Sequence, residues 1–259
     1  MKQNGYKKSF GLISIIMAAY NAENTIGQAI TSVIQQTYTD FELIIINDCS
    51  TDRTVDVINE FIKKDTRIRL INNSKNMGVS YTRKHGLDEA KGSWIAILDS
   101  DDLWLPEKLE KQVELQHETQ GELLYTGSGF MEANGKRLIW CLSVPTEVEY
   151  KQLLKQNILS NSSALVRREL YQKYYAIGDD MHEDFAIWLQ ILRAGHQAYG
   201  INEPLLIYRL DNTSKSGNKL KAAIMNWNTY RYIGLNIFEA FYYECWYTVR
   251  GFLKYKNFR

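Results

Sequence analysis

The stretch ISIIMAAYNAENTIGQAITSVIQQTYTDFELIIIND, residues 13–48, sets the architecture. It opens and closes on short runs rich in β-branched residues, ISIIMA and FELIIIN, neither of which alternates polar with apolar. Such runs suit strands buried on both faces, as in a parallel sheet. Between them Ile26, Ala29, Ile30, Val33 and Ile34 recur at helical spacing and form one apolar stripe. Strand, helix and strand in that order predict a βαβ unit.

The rhythm continues, with further runs beginning near residues 67 (RIRLI) and 94 (WIAILD), so that the four are about 27 residues apart. A second helix is expected after Ser50, with Val55, Ile58 and Ile62 on one face. A third is expected from about Val79 through Thr82, Gly86, Leu87 and Ala90, with Gly92 as its C-terminal stop. Residues 11–102 therefore read as an α/β, doubly wound, Rossmann-like sheet. After residue 102 the pattern becomes mixed α+β. Pro106 opens a helix carrying Leu109 and Val113, and short strands around 123–126 and 137–142 flank an Asn134-Gly135 turn. A helix with Phe185, Trp188, Leu189 and Leu192 on one side stops at Gly195, and a strand follows at 205–209. The expected division is an extension (1–10), one α/β domain (11–218, with halves 11–102 and 103–218) and a helical tail (219–259).

Composition excludes several classes. With 259 residues, 45% of them apolar, 3 Pro and 3 Cys, the chain is not disordered, collagen-like or a disulfide framework. Cys49, Cys141 and Cys245 are odd in number and far apart, which fits free thiols in a reducing, cytoplasmic setting. Lys2, Lys7 and Lys8 before the apolar run 10–20 imitate a signal peptide, but no small-x-small cleavage site follows. The near-neutral total conceals a basic tail: residues 219–259 carry seven Lys or Arg against Glu239 and Glu244, and 12 of the 32 aromatic residues lie between Trp227 and Phe258. Phe238, Phe241, Tyr242, Cys245, Trp246, Val249 and Phe252 share one helical face there. No stretch is long and charge-free enough to span a bilayer. The tail is expected to lie at a membrane surface, the alternative being a helix packed on the domain or on a second copy. Balanced charge and the lack of a basic, aromatic sheet face speak against a nucleic-acid partner.

In open parallel sheets ligands bind beyond the carboxyl ends of the strands. Here those ends are Ala19-Tyr20-Asn21, Asn47-Asp48, Asn72-Asn73 and Asp99-Ser100-Asp101-Asp102. Clustered carboxylates are costly unless a cation compensates them, and Mg²⁺ or Mn²⁺ held by one or two carboxylates keeps positions for phosphate oxygens. The residues thus point to a metal and diphosphate site, though Asp and Ser also serve as helix caps and turn formers.

The segments SIIMAAYNAENTIGQAITSVIQQTYTDFELIIINDCSTD, NMGVSYTRKHGLDEAKGSWIAILDSDD and HEDFAIWLQILRAG resemble inverting glycosyltransferases of family 2, which have the nucleotide-diphospho-sugar transferase fold. The resemblance covers roughly residues 11–210 and is nearer to bacterial enzymes of capsule, exopolysaccharide or teichuronic acid synthesis than to processive synthases. It implies a nucleotide-sugar donor, with UDP favoured, and a glycan or lipid-linked acceptor. It also implies a nucleotide-sugar pocket containing Ala18, Tyr20 on the base, Asp48 on the uracil, Arg83 beside the nucleotide, Asp99 near the ribose and Ser100. Asp101 would bind Mn²⁺ or Mg²⁺. The usual Asp-Asp pair at the second strand end is Asn47-Asp48 here. In Met181-His182-Glu183-Asp184 the last residue matches the family's base, and an inverting transfer needs one base to take the acceptor hydroxyl's proton.

His182, Glu183 and Trp188 are candidate acceptor contacts, and Arg209 and Lys215 candidate lid residues over the diphosphate. Each has a plainer reading: a structural histidine, a helix-end charge, a core tryptophan and a solvated basic loop. Trp104 reads the same way, as a sugar platform or as core. Competing classes fit less well. A nucleotidyltransferase wants a Gly-rich, Lys-bearing loop where Ala19-Tyr20-Asn21-Ala22 stands, and an aspartyl phosphatase wants its Asp pair after the first strand. A non-catalytic nucleotide-sugar or glycan binder is disfavoured by the presence of both Asp101 and Asp184.

Overall fold

The computed structural model describes residues 10–210 and 219–256. Four parallel strands form as the sequence predicts: β1 (Ile13–Ala19), β2 (Phe41–Asn47), β3 (Ile68–Asn72) and β4 (Trp94–Ile97), in the spatial order β3-β2-β1-β4. Their crossovers are α1 (Ile26–Ile34), α2 (Thr54–Ile62) and α3 (Val79–Glu89). In α1, Ile26, Ala29, Ile30 and Val33 are buried against the sheet, as their spacing requires. Helix α3 ends at Glu89, with Ala90 extended. Gly92 is therefore not its stop. A Cβ at Gly92 would lie 2.4 Å from the Leu12 carbonyl oxygen and 2.7 Å from the Ser14 nitrogen, so glycine is needed there for the close approach of two backbones.

The second half adds its strands to the same sheet. Following β5 (Leu103–Trp104) and α4 (Lys108–Thr119) come β6 (Leu123–Glu132), β7 (Arg137–Leu142), β8 (Glu147–Val148), α5 (Tyr150–Lys155) and β9 (Leu165–Arg167). Then follow α6 (Arg168–Lys173), α7 (Glu183–Arg193) and the long β10 (Ala198–Leu210). Beyond β4 the sheet runs β9-β6-β10-β5, with β9 antiparallel to both β4 and β6. The Asn134-Gly135 turn joins β6 to β7, Gly135 taking a φ of 88°. Gly195, at φ 93°, follows α7 as expected of a helix stop.

Two apolar cores sandwich the sheet, one with α1 and α4, the other with α3, α5 and α7. The C-terminal helices α8 (Lys219–Tyr232) and α9 (Ile237–Lys256) join the second core through Tyr230, Ile233, Leu235 and Ala240. Helix α9 has two distinct sides. Tyr243 and Tyr247 turn inward, Tyr247 reaching Phe185 of α7 with ring centroids 6.0 Å apart. Phe238, Phe241, Tyr242, Trp246 and Val249 face outward, Phe238 being 86% exposed. The helix thus packs on the domain, as one of the two expectations had it, and also presents an outward aromatic face. Among the described residues no helix is long and apolar enough to cross a membrane, and Cys49, Cys141 and Cys245 are free thiols.

Candidate functional site

The ends of β1 and β2 form the first wall. Ala18 is partly exposed in β1, and Tyr20 just beyond it is 53% exposed. The loop after β1 is laced to the loop after β2: Asn21 N donates to Ser50 Oγ at 3.0 Å, Ala22 N to Thr54 Oγ1 at 2.7 Å and Glu23 N to Asp52 Oδ2 at 3.0 Å. Asn21 and Cys49 adopt positive φ (48° and 61°), a costly conformation for residues with side chains and one that collects at functional loops. Asn47 explains its own departure from the usual acid. Its Nδ2 donates to Asn72 Oδ1 at 2.9 Å while its Oδ1 accepts from Ser50 N at 3.0 Å, and a carboxylate could not donate.

Asp48 is buried and organises the next wall. Its Oδ1 accepts from Asn73 Nδ2 at 2.7 Å and Met77 N at 2.8 Å, and its Oδ2 from Gly78 N at 2.9 Å. Asn73 is oriented by His85 and Thr82. A carboxylate has about four acceptor positions, so Oδ2 keeps capacity for one more N–H, such as that of a pyrimidine base.

The acidic segment after β4 is braced from beneath. Asp99 N donates to Ser162 Oγ at 3.2 Å. Asp102 is buried, its Oδ1 accepting from Arg209 N at 3.0 Å while its Oδ2 finds no hydrogen-bond donor. Burial, together with the charges of Asp101 and Asp99, holds the Asp102 carboxyl well above the usual carboxylate range. Arg209 is itself buried. Its Nε donates to the Asp101 carbonyl at 2.9 Å, Nη1 to the Ala133 carbonyl at 3.1 Å and Nη2 to Gln28 Oε1 at 2.9 Å. The residue expected as a lid cation is a buried strut under the acid cluster.

The third part joins the two halves. Arg83 of α3, buried, donates to Asp99 Oδ1 and to Glu183 Oε1, and the Asn161 side-chain carbonyl lies 3.2 Å from both terminal nitrogens. Burial works against the guanidinium charge, and the carboxylates of Asp99 and Glu183 outweigh it. Asp184 follows in the first turn of α7. Burial first, and the Glu183 charge second, push its carboxyl up to about 7, with Arg83 pulling the other way. The segment leading to it is clamped by α8, where Thr229 Oγ1 accepts from His182 N at 3.0 Å and Asn228 Nδ2 donates to the Asp180 carbonyl at 2.8 Å.

A carboxyl that ionises near neutrality, tied through Glu183 and Arg83 to the acids at the strand ends, suits proton abstraction from a hydroxyl. The glycosyl transferase family 2 model matches residues 14–175. The chain belongs to that family. It is a glycosyltransferase, similar over most of its length to other members. The Bacillus subtilis protein TuaG, assigned to teichuronic acid biosynthesis, is 37% identical over 222 residues, which are 86% of this chain and 88% of that one. The Escherichia coli UDP-Glc:alpha-D-GlcNAc-diphosphoundecaprenol beta-1,3-glucosyltransferase WfaP is 35% identical over 245 residues, 94% and 95% of the two chains. Among solved structures, S. aureus TarS in complex with UDP-GlcNAc superposes with a TM-score of 0.70 at 19% identity, over 85% of this chain and 65% of that one. The mannosyltransferase PcManGT of Pyrobaculum calidifontis, in complex with GDP-Man and Mn²⁺, gives 0.67 at 16% identity, over 85% and 63%. At those identities the two structures speak for the fold.

Within this family framework Tyr20, Asp48, Asp99, Ser100 and Asp101 stand at the carboxyl ends of β1, β2 and β4, and Glu183 and Asp184 are brought to them by Arg83. Trp188 is not brought there. It is wholly buried and stacked on Tyr171, so its ring has no face to offer an acceptor. Trp104 is core as well, its indole N–H donating to the Ser162 carbonyl at 2.7 Å. Lys215 lies outside the described residues. Among the described residues no three His, Cys, Asp or Glu side chains converge as a ready-made metal cage. Asn73, Asn161, Ser162 and Thr229 have positioning roles that no motif announces.

Proposed function

We propose that the enzyme transfers a sugar, with inversion, from a UDP-sugar to a hydroxyl of a lipid-linked glycan during assembly of a bacterial cell-surface polysaccharide. The observation that carries this reading is the bridge from Asp99 through Arg83 to Glu183, which sets Asp184 against the donor carboxylates. Asp48 and the exposed Tyr20 support a uracil base. The names of WfaP and TuaG, a UDP-Glc transferase to a diphosphoundecaprenol acceptor and a teichuronic acid enzyme, support the donor and acceptor classes.

The acid cluster fits a divalent cation: its donors are hard oxygens, and a buried Asp102 oxygen without a partner lies next to Asp101. Asp101 would hold Mn²⁺ or Mg²⁺, with donor phosphates completing the shell; when bound, the ion neutralises charge developing on the departing diphosphate. Tyr20 and Asp48 hold the base, and Asp99 and Ser100 the ribose side. Asp184 takes the acceptor hydroxyl's proton as that oxygen bonds to the anomeric carbon, and the bond from that carbon to the diphosphate oxygen breaks with its electron pair leaving on the diphosphate. The test is nucleotide release from a panel of UDP-, GDP- and TDP-sugars with Mn²⁺ or Mg²⁺. Metal-dependent release from a UDP-sugar that is lost in Asp101→Ala is expected. Failure of any nucleotide to bind by calorimetry, with metal present, would remove the reading.

We place the enzyme on the inner face of the cytoplasmic membrane, where lipid-linked acceptors are presented. The outward aromatic side of α9 supports this, with Lys155 and Arg250 over Trp246 at 5.3 and 5.9 Å supplying charge complementary to anionic headgroups. The protein is expected to sediment with phosphatidylglycerol vesicles and to stay in the supernatant when Phe238 and Phe241 are both replaced by Glu. Equal sedimentation of the two proteins would exclude this surface, and a monomer produced from a dimer by the same change would make it a subunit contact.

A further inference from the structure

We propose that Arg83 is a positioning residue for the base: one buried guanidinium ties Asp99, on the donor side, to Glu183, and through Glu183 it fixes where Asp184 stands and how readily it accepts a proton. This rests on the assignment of Asp184 as base. The family resemblance alone sets Arg83 beside the nucleotide, as a binding group. The geometry points elsewhere, because both ends of its fork are spent on protein carboxylates and the Asn161 carbonyl lies against it. To reach a donor phosphate it would have to abandon the buried Glu183 carboxylate and the partly buried Asp99, and leaving the first unpaired is strongly unfavourable.

Among the described residues, Arg83 from α3, Asp99 from the segment after β4, Tyr171 from α6 and Glu183 from its own turn act on Asp184, while Tyr175 faces Arg83 and Glu183. Arg83 is thus set among the carboxyls of Asp99, Glu183 and Asp184. With its fork on Asp99 and Glu183, Arg83 leaves Asp184 as the group that keeps its proton until near neutrality, where a base is most useful. Lysine could not replace it, since a single ammonium cannot pair in one plane with two acids on opposite elements.

The experiment is the pH profile of kcat/KM for the wild type, Glu183→Gln and Arg83→Lys, with the donor found active in the nucleotide-release panel. The same midpoint is read without turnover by ¹³C NMR of labelled aspartate carboxyls. Removing the Glu183 charge should move the acid limb, and the Asp184 resonance midpoint, down by about one pH unit. Arg83→Lys should lose about 10- to 100-fold in kcat while donor KM stays within about twofold. A raised donor KM with unchanged kcat in Arg83→Lys would make Arg83 a nucleotide contact and overturn the proposal, as would an unmoved midpoint in Glu183→Gln; the latter decides alone should Arg83→Lys not fold. Activity retained in Asp184→Asn would instead strike the base assignment itself.

Discussion

Asp184→Asn is expected to lower kcat/KM by about three orders of magnitude while making the protein harder to unfold at pH 8. The two effects have one origin. In the wild type, activity should rise with pH through about 7 as the Asp184 carboxyl ionises, because only the carboxylate can accept the hydroxyl proton. The folded value lies above the ordinary 3.8, so the folded state holds this proton more tightly than the unfolded chain. Its contribution to stability is full below pH 4 and is lost progressively as pH rises from about 4 to 7. Asparagine is neutral throughout. The variant should therefore gain ~2 kcal/mol over the wild type at pH 8, less than the raw shift suggests because the carboxyl is partly solvated. At pH 4 the difference should vanish. Urea midpoints at both pH values measure this, and equal midpoints at pH 8 would contradict the burial assigned to the carboxyl.

Arg209→Met should destabilise the fold by ~1–3 kcal/mol. The buried guanidinium donates to the Asp101 and Ala133 carbonyls and to the Gln28 amide oxygen, and methionine would give up all three bonds, though their acceptors sit on partly or fully exposed residues that can turn to water. Arg209→Lys should recover part of the loss, since its ammonium can replace one or two of those bonds. Because the Arg209 side chain also holds the Asp101 carbonyl, donor turnover should fall with stability in both variants. A variant of full stability with only a raised donor KM would return Arg209 to the lid role that its neighbourhood in the sequence suggests.

How much was legible in the chain depended on how local the physics is. Strands β1 to β4 and their helices follow from periodicity, and the acids that end β2 and β4 follow from the rule that ligands gather at strand ends. Arg209 was misread because the partner that fixes its role, Gln28, is 181 residues away, and no local pattern reports such a pairing. Arg83 meets Glu183 across 100 residues for the same reason. Gly92 reads in sequence as a helix stop, and only the position of the Leu12 backbone shows that its use is a close approach. The polar positioning residues, Asn161 and Ser162 above all, look in sequence like ordinary turn formers, and their function arises when β9 places the 3₁₀ turn before it under the acid cluster.

The insertion of β9 between β4 and β6 has a consequence for synthesis on the ribosome. When the first hundred residues have emerged, four strands can pair, but the outer edge of β4 has no neighbour until residues 165–167 arrive about seventy residues later. At translation rates of roughly 5–20 residues per second this leaves an apolar strand edge open for several seconds, a template for pairing with other nascent chains. Chaperone dependence during expression is therefore the expected outcome of this strand order, and slowing translation after residue 100 should deepen it.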